Sequence, residues 1–125
     1  MKLEHLALSI SDRNEIERFY QGILGMTLVH SFTMEKSLAF DIFRLSESPE
    51  VFLMQKDGLQ LEVFLSPNKH PHGFDHICIS SSSREEIIKK AKQNLYRCFR
   101  MKREQSDLVF ISDKCGNTFE VKQYI

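Results

Sequence analysis

Hydrophobic and polar residues alternate along the chain in short runs that end at turn-forming residues. Residues 2–10 open the chain with such a run, in which Leu6, Leu8 and Ile10 share one side. Because consecutive side chains of a strand point to opposite faces, this alternation predicts a β-strand with one apolar face.

A first helix is predicted to follow this strand. Apolar residues recur at helical spacing from Ile16 to Ile23, and Asp12 with Glu15 three positions later has the form of a capping box. Gly25 is expected to end the helix. Residues 26–33 are then predicted to form a second strand.

The next segment, residues 34–45, fits either a strand or one face of a short helix, and we favour the helix. A β-hairpin is predicted beyond it, with strands over residues 51–54 and 59–65. Asp57-Gly58 between these apolar runs supplies the positive φ that a tight hairpin turn requires.

The second half of the chain repeats this order. A strand is predicted at 74–80, a helix from about Arg84 to Asn94 capped by the serines at 80–83, and three strands at 96–103, 107–112 and 117–123. The chain is therefore predicted to be an α+β protein of two tandem βαβββ modules, since one module alone would leave an apolar sheet face uncovered. We expect one domain over residues 1–125, with module one at 1–66, a linker at 67–73 and module two at 74–125.

Composition narrows the classes of function. The 125 residues carry no net charge, so neither a nucleic acid nor a membrane is expected as a partner. No apolar run approaches the length of a membrane span, and three cysteines without CxxC spacing fit reduced thiols. A cytoplasmic location is predicted.

The repeat also places histidine and glutamate residues, which can bind a metal, at equivalent positions in the two halves. Each half begins with a histidine in a strand, His5 and His76, and ends with a glutamate in a strand, Glu62 and Glu120. Two imidazoles and two carboxylates suit a divalent ion such as Ni, Zn, Co, Mn or Fe(II). A solvated histidine or glutamate is the ordinary alternative for each residue alone, whereas their matching positions favour a metal site.

Several motifs resemble the vicinal-oxygen-chelate superfamily, which includes glyoxalases, bleomycin resistance proteins and dioxygenases. These motifs are Leu3-x-His5-Leu6, Phe19-Tyr20 with Leu24-Gly25-Met26, and Asp113-x-x-Gly116-x-x-x-Glu120. The resemblance implies a half-open eight-stranded mixed β-barrel with helices outside. It also implies His5, Glu62, His76 and Glu120 as metal ligands, in an order most similar to that of glyoxalase I.

The resemblance further implies a lyase or isomerase that acts on a small oxygenated or thioester substrate. The metal would stabilise an enediolate or enolate formed by loss of an α-proton. Glu120, and secondly Glu62, would serve as both ligand and base. Short chains of this superfamily commonly form dimers, so a homodimer is expected, with the site inside one chain or across two.

Two departures from glyoxalase I bear on the substrate. Ser9 and Ser66 stand where that enzyme has an arginine and an asparagine, which argues against glutathione as part of the substrate. Two other functions stay open: a drug-sequestering resistance protein, and an Fe(II) dioxygenase using His5, His76 and Glu120. Weaker candidates for anion anchors, each with solvated charge as the ordinary interpretation, are Arg44, Lys102, Arg103 and Lys122.

Overall fold

The structure of the protein is a computed structural model that describes residues 4–43, 45–66 and 77–123. The chain divides into two compact units, Met1–His70 (unit 1) and Pro71–Ile125 (unit 2). Each unit is described by itself below.

Unit 1 contains four strands and two helices among its described residues. In chain order they are β1 (Leu6–Ile10), a π-helix (Ile16–Gln21), β2 (Thr27–Thr33), helix α1 (Lys36–Phe43), β3 (Glu50–Lys56) and β4 (Leu59–Leu65). The strand order is β1-β4-β3-β2, with β1 parallel to β4 and the other pairs antiparallel.

One face of this sheet forms the core of unit 1. Leu61 and Val63 of β4 are fully buried, and Leu8 of β1 lies opposite Val63 in the sheet register. Phe19 and Tyr20 of the π-helix are likewise fully buried. The alternation seen in the sequence thus separates a buried apolar face from the face that carries Glu62.

The β3–β4 hairpin turns at the predicted dipeptide. Asp57 and Gly58 both have positive φ, 49° and 83°. A Cβ added to Gly58 would meet no atom within 4 Å, so the turn needs glycine for its backbone conformation alone.

Unit 2 contains four strands and one helix among its described residues. They are β5 (Ile77–Ser81), helix α2 (Arg84–Gln93), β6 (Arg97–Met101), β7 (Leu108–Ser112) and β8 (Thr118–Gln123). The strand order β5-β8-β7-β6 repeats that of unit 1, again with the first strand parallel to the last. Phe119 and Val121 of β8 are buried, as are Ile87, Ile88 and Ala91 of α2.

The predicted fold class is confirmed over the described residues, where eight strands form two mixed sheets in tandem α+β modules. The helix favoured for residues 34–45 is present as α1, at a place where the described part of module two has only the loop between β6 and β7. The strand predicted at 2–10 begins only at Leu6, and His5 immediately precedes it. The linker at 67–73 and the first residues of the strand predicted at 74–80 lie outside the described residues.

Two helix caps differ from the prediction. Asp12 Oδ1 accepts the Asn14 N–H at 2.9 Å, but the helix that follows is wound with π-type hydrogen bonds over Ile16–Gln21. Ser83 precedes α2 without a side-chain capping bond, and its backbone N–H donates to Ser81 Oγ at 3.0 Å. No helix in the described part of the chain is both long enough and apolar enough to cross a membrane.

Candidate metal centre

Unit 1 brings one predicted histidine and one predicted glutamate together. His5 Nε2 lies 3.4 Å from Glu62 Oε1, and both side chains are partly exposed, by 44% and 27%. A ligand or ion can therefore reach both atoms from solvent.

The parallel pairing of β1 with β4 explains this contact. Ala7 lies opposite Glu62 in the register, and His5 stands two residues before Ala7. Residues two apart along an extended chain share a side, so His5 is carried to the face on which Glu62 lies.

The separation suits two ligands of one ion. Metal–nitrogen and metal–oxygen bonds of about 2.1 Å at a right angle place their ligand atoms about 3 Å apart. The observed 3.4 Å between imidazole nitrogen and carboxylate oxygen is close to that value. The donor types, one borderline and one hard, fit a first-row divalent ion.

Unit 2 repeats half of this arrangement. Cys78 of β5 lies opposite Glu120 of β8, as Ala7 lies opposite Glu62. His76 stands two residues before Cys78, as His5 stands before Ala7, but it lies outside the described residues. Glu120 is partly buried on the face of β8 opposite to Phe119 and Val121.

Cys78 is the immediate neighbour of Glu120. Partial loss of contact with water raises the pKa of the Cys78 thiol, and the negative charge of Glu120 raises that pKa further. The thiol is hydrogen-bonded to Glu120, although the Cys78 residue is exposed overall. A protonated thiol can only act as the donor toward a carboxylate, so Cys78 helps to orient Glu120.

The described residues contain no group of three or more His, Cys, Asp or Glu side chains that could hold a metal ion. His5 and Glu62 form one pair, and Glu120 lies in the other unit. Convergence of all four predicted ligands on one ion therefore stays a prediction.

The surroundings of the two glutamates differ. In unit 1, Phe64 follows Glu62 by two residues and is buried in an apolar cluster with Val51 and Ala39 of α1. Its ring packs edge-to-face on Phe43, at 5.3 Å between centroids. Helix α1 thus covers one end of the face that carries Glu62.

In unit 2, Glu120 lines an open cavity of about 950 Å³. Arg103 and Lys122, two of the predicted anion anchors, line the same cavity, while Lys102 does not. Arg44 lies outside the described residues. The cavity also contains Arg84, which the sequence did not single out because an arginine at the start of a helix is ordinarily solvated.

The two serines that depart from glyoxalase I are both placed in unit 1. Ser9 lies in β1 opposite Phe64, on the side of the sheet that carries Glu62. Ser66 is buried, and its N–H donates to the Ile10 carbonyl at 2.9 Å.

A protein-family model identifies the superfamily to which this chain belongs. The Glyoxalase/Bleomycin resistance protein/Dioxygenase superfamily matches residues 4–110. The chain belongs to this superfamily, which confirms the resemblance inferred from the motifs. A search of curated proteins finds no significant match.

Solved structures share the fold over nearly the whole chain. The fosfomycin resistance protein FosX from Listeria monocytogenes aligns with a TM-score of 0.73 at 17% identity, covering 97% of this chain and 91% of FosX. A glyoxalase family protein from Enterococcus faecalis aligns with a TM-score of 0.74 at 15% identity, covering 96% of this chain and 95% of that protein.

A mutant of the same FosX has been solved with Mn(II) and 1S,2S-dihydroxypropylphosphonic acid. It aligns with a TM-score of 0.73 at 16% identity, covering 97% of this chain and 90% of that chain. Identities this low establish a common fold and leave the reaction of the present chain to be argued from its own residues.

Proposed function

We propose that this protein is a divalent-metal-dependent enzyme of the glyoxalase type, which moves a proton next to a carbonyl or thioester carbonyl of a small substrate. The observation that carries the proposal is the 3.4 Å approach of His5 Nε2 to Glu62 Oε1, at the place where the internal repeat puts a ligand pair. The Mn(II) bound by FosX supports a metal role within the same fold.

His5, Glu62, His76 and Glu120 would hold the ion, either within one chain or between two chains of a homodimer. The two carboxylates would balance its charge, and the imidazoles favour Ni, Zn, Co, Mn or Fe(II) over calcium or magnesium. When bound, the ion would supply positive charge that stabilises a negative substrate oxygen.

Glu120 is the proposed base. Its carboxylate would accept the α-proton, while the electron pair of the C–H bond moves toward the carbonyl oxygen. The Cys78 thiol orients this carboxylate by its hydrogen bond. Glu62 is the alternative base, held beside His5 in unit 1.

The proposal also covers the substrate, the assembly and the location of the protein. Ser9 and Ser66, in the places of the glyoxalase I arginine and asparagine, make a substrate without glutathione the better candidate. A small-molecule substrate, a homodimeric assembly and a cytoplasmic location complete it.

The decisive experiment measures metal binding to the full chain. The metal-stripped protein is titrated with Mn(II), Ni(II) and Zn(II), alongside the Glu62→Ala and Glu120→Ala variants. Loss of an outer-shell partner alone weakens metal binding about 10–100-fold, so loss of a direct ligand is expected to weaken it at least 100-fold. Glu47→Ala, which removes an exposed carboxylate that does not line the cavity of Glu120, serves as the matched control.

Activity is then assayed on methylglyoxal–thiol adducts and on acyl-CoA epimerisation. Turnover that depends on added metal and is lost in Glu120→Ala would support the proton-transfer role. Equal metal affinity in wild type, Glu62→Ala and Glu120→Ala would contradict the ligand set, and absence of metal binding would favour a sequestering protein.

A further inference from the structure

The cavity of unit 2 combines a candidate metal ligand with three cationic side chains. Its wall contains Arg84 from the start of α2, Arg103 from the loop between β6 and β7, and Lys122 from β8, together with Glu120. Lys122 stands two residues after Glu120, so the two side chains share one face of the strand.

Arg84 is the unusual member of this wall because it is a buried charge. Only 7% of the residue is exposed. Its Nη1 donates to Ser106 Oγ at 3.4 Å and to the Asp107 carbonyl at 3.3 Å, both long hydrogen bonds. Its Nε is buried with no hydrogen-bond partner among the described residues.

Leaving the buried Nε–H group of Arg84 without an acceptor is costly, so this side chain is suited to receive an oxygen atom there. Guanidinium and ammonium groups are the ordinary protein partners of carboxylate and phosphate oxygens. Arg84, Arg103 and Lys122 are therefore suitable donors for an oxyanion in this cavity.

The acidic residues near Arg84 are already occupied. Arg100 binds Asp107 Oδ2 at 2.8 Å and both oxygens of Glu85 at 2.8 Å. The contact of Arg84 with Glu85 is longer, at 3.4 Å. Glu104, the other carboxylate on the cavity wall besides Asp107 and Glu120, is exposed on the β6–β7 loop.

We propose that this cavity binds the anionic end of the substrate, a carboxylate or a phosphate-type group, on the same molecule whose reacting carbon faces Glu120. The inference rests on the proposed function and adds to it the substrate class. Fixing the anion between Arg84, Arg103 and Lys122 would orient the reacting carbon toward the base, which lowers the entropic part of the barrier.

The test uses inorganic phosphate and acetate as probes of the two oxyanion classes. Each is titrated into the metal-stripped full chain, so that no bound ion can ligate the probe, and binding is followed by NMR shifts or calorimetry. Lys122→Met and Arg103→Met are each expected to weaken the better probe about tenfold or more, the usual effect of removing a charged hydrogen-bond partner. Lys102→Met removes the same charge from an exposed neighbour that does not line the cavity, and is expected to change affinity less than twofold.

Tighter binding of phosphate than of acetate would assign a phosphate-type substrate group, and the reverse would assign a carboxylate. Equal weakening in all three variants, or no saturable binding of either probe, would overturn the inference. Metal binding in the same samples separates this result from the proposed function. A protein that binds phosphate through Lys122 but takes up no metal retains the anion site and loses the proposed reaction.

Discussion

Phe64 and Lys122 occupy the same position in the two units, two residues after the glutamate of the last strand. Each lies opposite a serine of the first strand, Ser9 in unit 1 and Ser80 in unit 2. Phe64 is buried, whereas Lys122 is exposed beside a cavity. The same strand arrangement thus carries a buried apolar side chain, Phe64, in unit 1 and an exposed charged side chain, Lys122, in unit 2.

The segment between the second and third strands of each unit, in chain order, accounts for this difference. In unit 1 the chain inserts α1 between β2 and β3, and Ala39 and Phe43 of this helix pack near Phe64. In unit 2 the β6–β7 hairpin has only a short loop at the corresponding place. The sheet geometry is shared, and the inserted helix buries the position two residues after the glutamate in unit 1, while the equivalent position in unit 2 stays exposed.

Substitutions at Phe64 and Lys122 are expected to differ most in their cost to stability. Phe64→Ala is expected to lower the free energy of unfolding by about 3–5 kcal/mol, because it leaves a cavity in a buried cluster. Lys122→Ala, the equivalent change in unit 2, is expected to stay within about 0.5 kcal/mol because the side chain is exposed. Urea unfolding of both variants measures the difference, and similar losses would contradict the assigned environments.

The turns before the last strand of each unit are also stabilised in different ways. The buried Asp113 carboxylate accepts the N–H groups of Cys115 and Asn117 and the Asn117 side-chain amide, all within 2.8–2.9 Å. Asp113→Ala is expected to cost about 2–3 kcal/mol, because buried donors lose a charged acceptor. Gly58→Ala in the other turn is expected to cost about 1–2 kcal/mol, through left-handed backbone strain alone.

Thermal or urea unfolding of each single variant measures both losses in the free energy of unfolding. A loss in Asp113→Ala no larger than that in Gly58→Ala would show that side-chain bonds do not hold the unit 2 turn.

The stability of the protein is also expected to depend weakly on pH through the ion pairs of Arg100 in unit 2. Hydrogen bonds from Arg100 lower the pKa of Glu85 and the pKa of Asp107 in the folded protein. A lowered folded pKa contributes stability that is complete above the ordinary value of about 4 and is lost as pH falls through the folded value. The contribution is small because solvent screens these ion pairs, with the side chain of Glu85 60% exposed and that of Asp107 19% exposed.

Unfolding free energies measured from about pH 5 down to about pH 2.5 test this assignment. The wild type is expected to lose more stability over this interval than Arg100→Met, which lacks the ion pairs. Identical pH profiles for the two proteins would place the acid sensitivity elsewhere in the chain.

Much of the fold could be predicted because its signals are local. Alternation marked the strands, and Asp57-Gly58 marked a turn through its φ requirement. The start of β1 at Leu6 could not be predicted, since alternation continues through His5 without a boundary residue. The π-type winding at Ile16–Gln21 also has no local signal of its own.

The candidate site was predictable only as far as the repeat reveals it. Matching positions in two modules pointed to His5 with Glu62, and the structure places this pair together. Arg84 carried no such signal, because its burial depends on contacts with the distant residues Ser106 and Asp107. Side chains that acquire a role through tertiary packing alone are not visible in residue spacing.

The parallel pairing of each first strand with each last strand has a consequence for synthesis of the protein. While the chain is being made, β3 and β4 can form a hairpin as soon as both have left the ribosome, whereas β1 must wait for β4, its neighbour in the sheet. Contacts between such distant segments form slowly. The His5–Glu62 pair therefore arises only when unit 1 is complete, and a nascent chain ending before β4 would have an unpaired N-terminal strand.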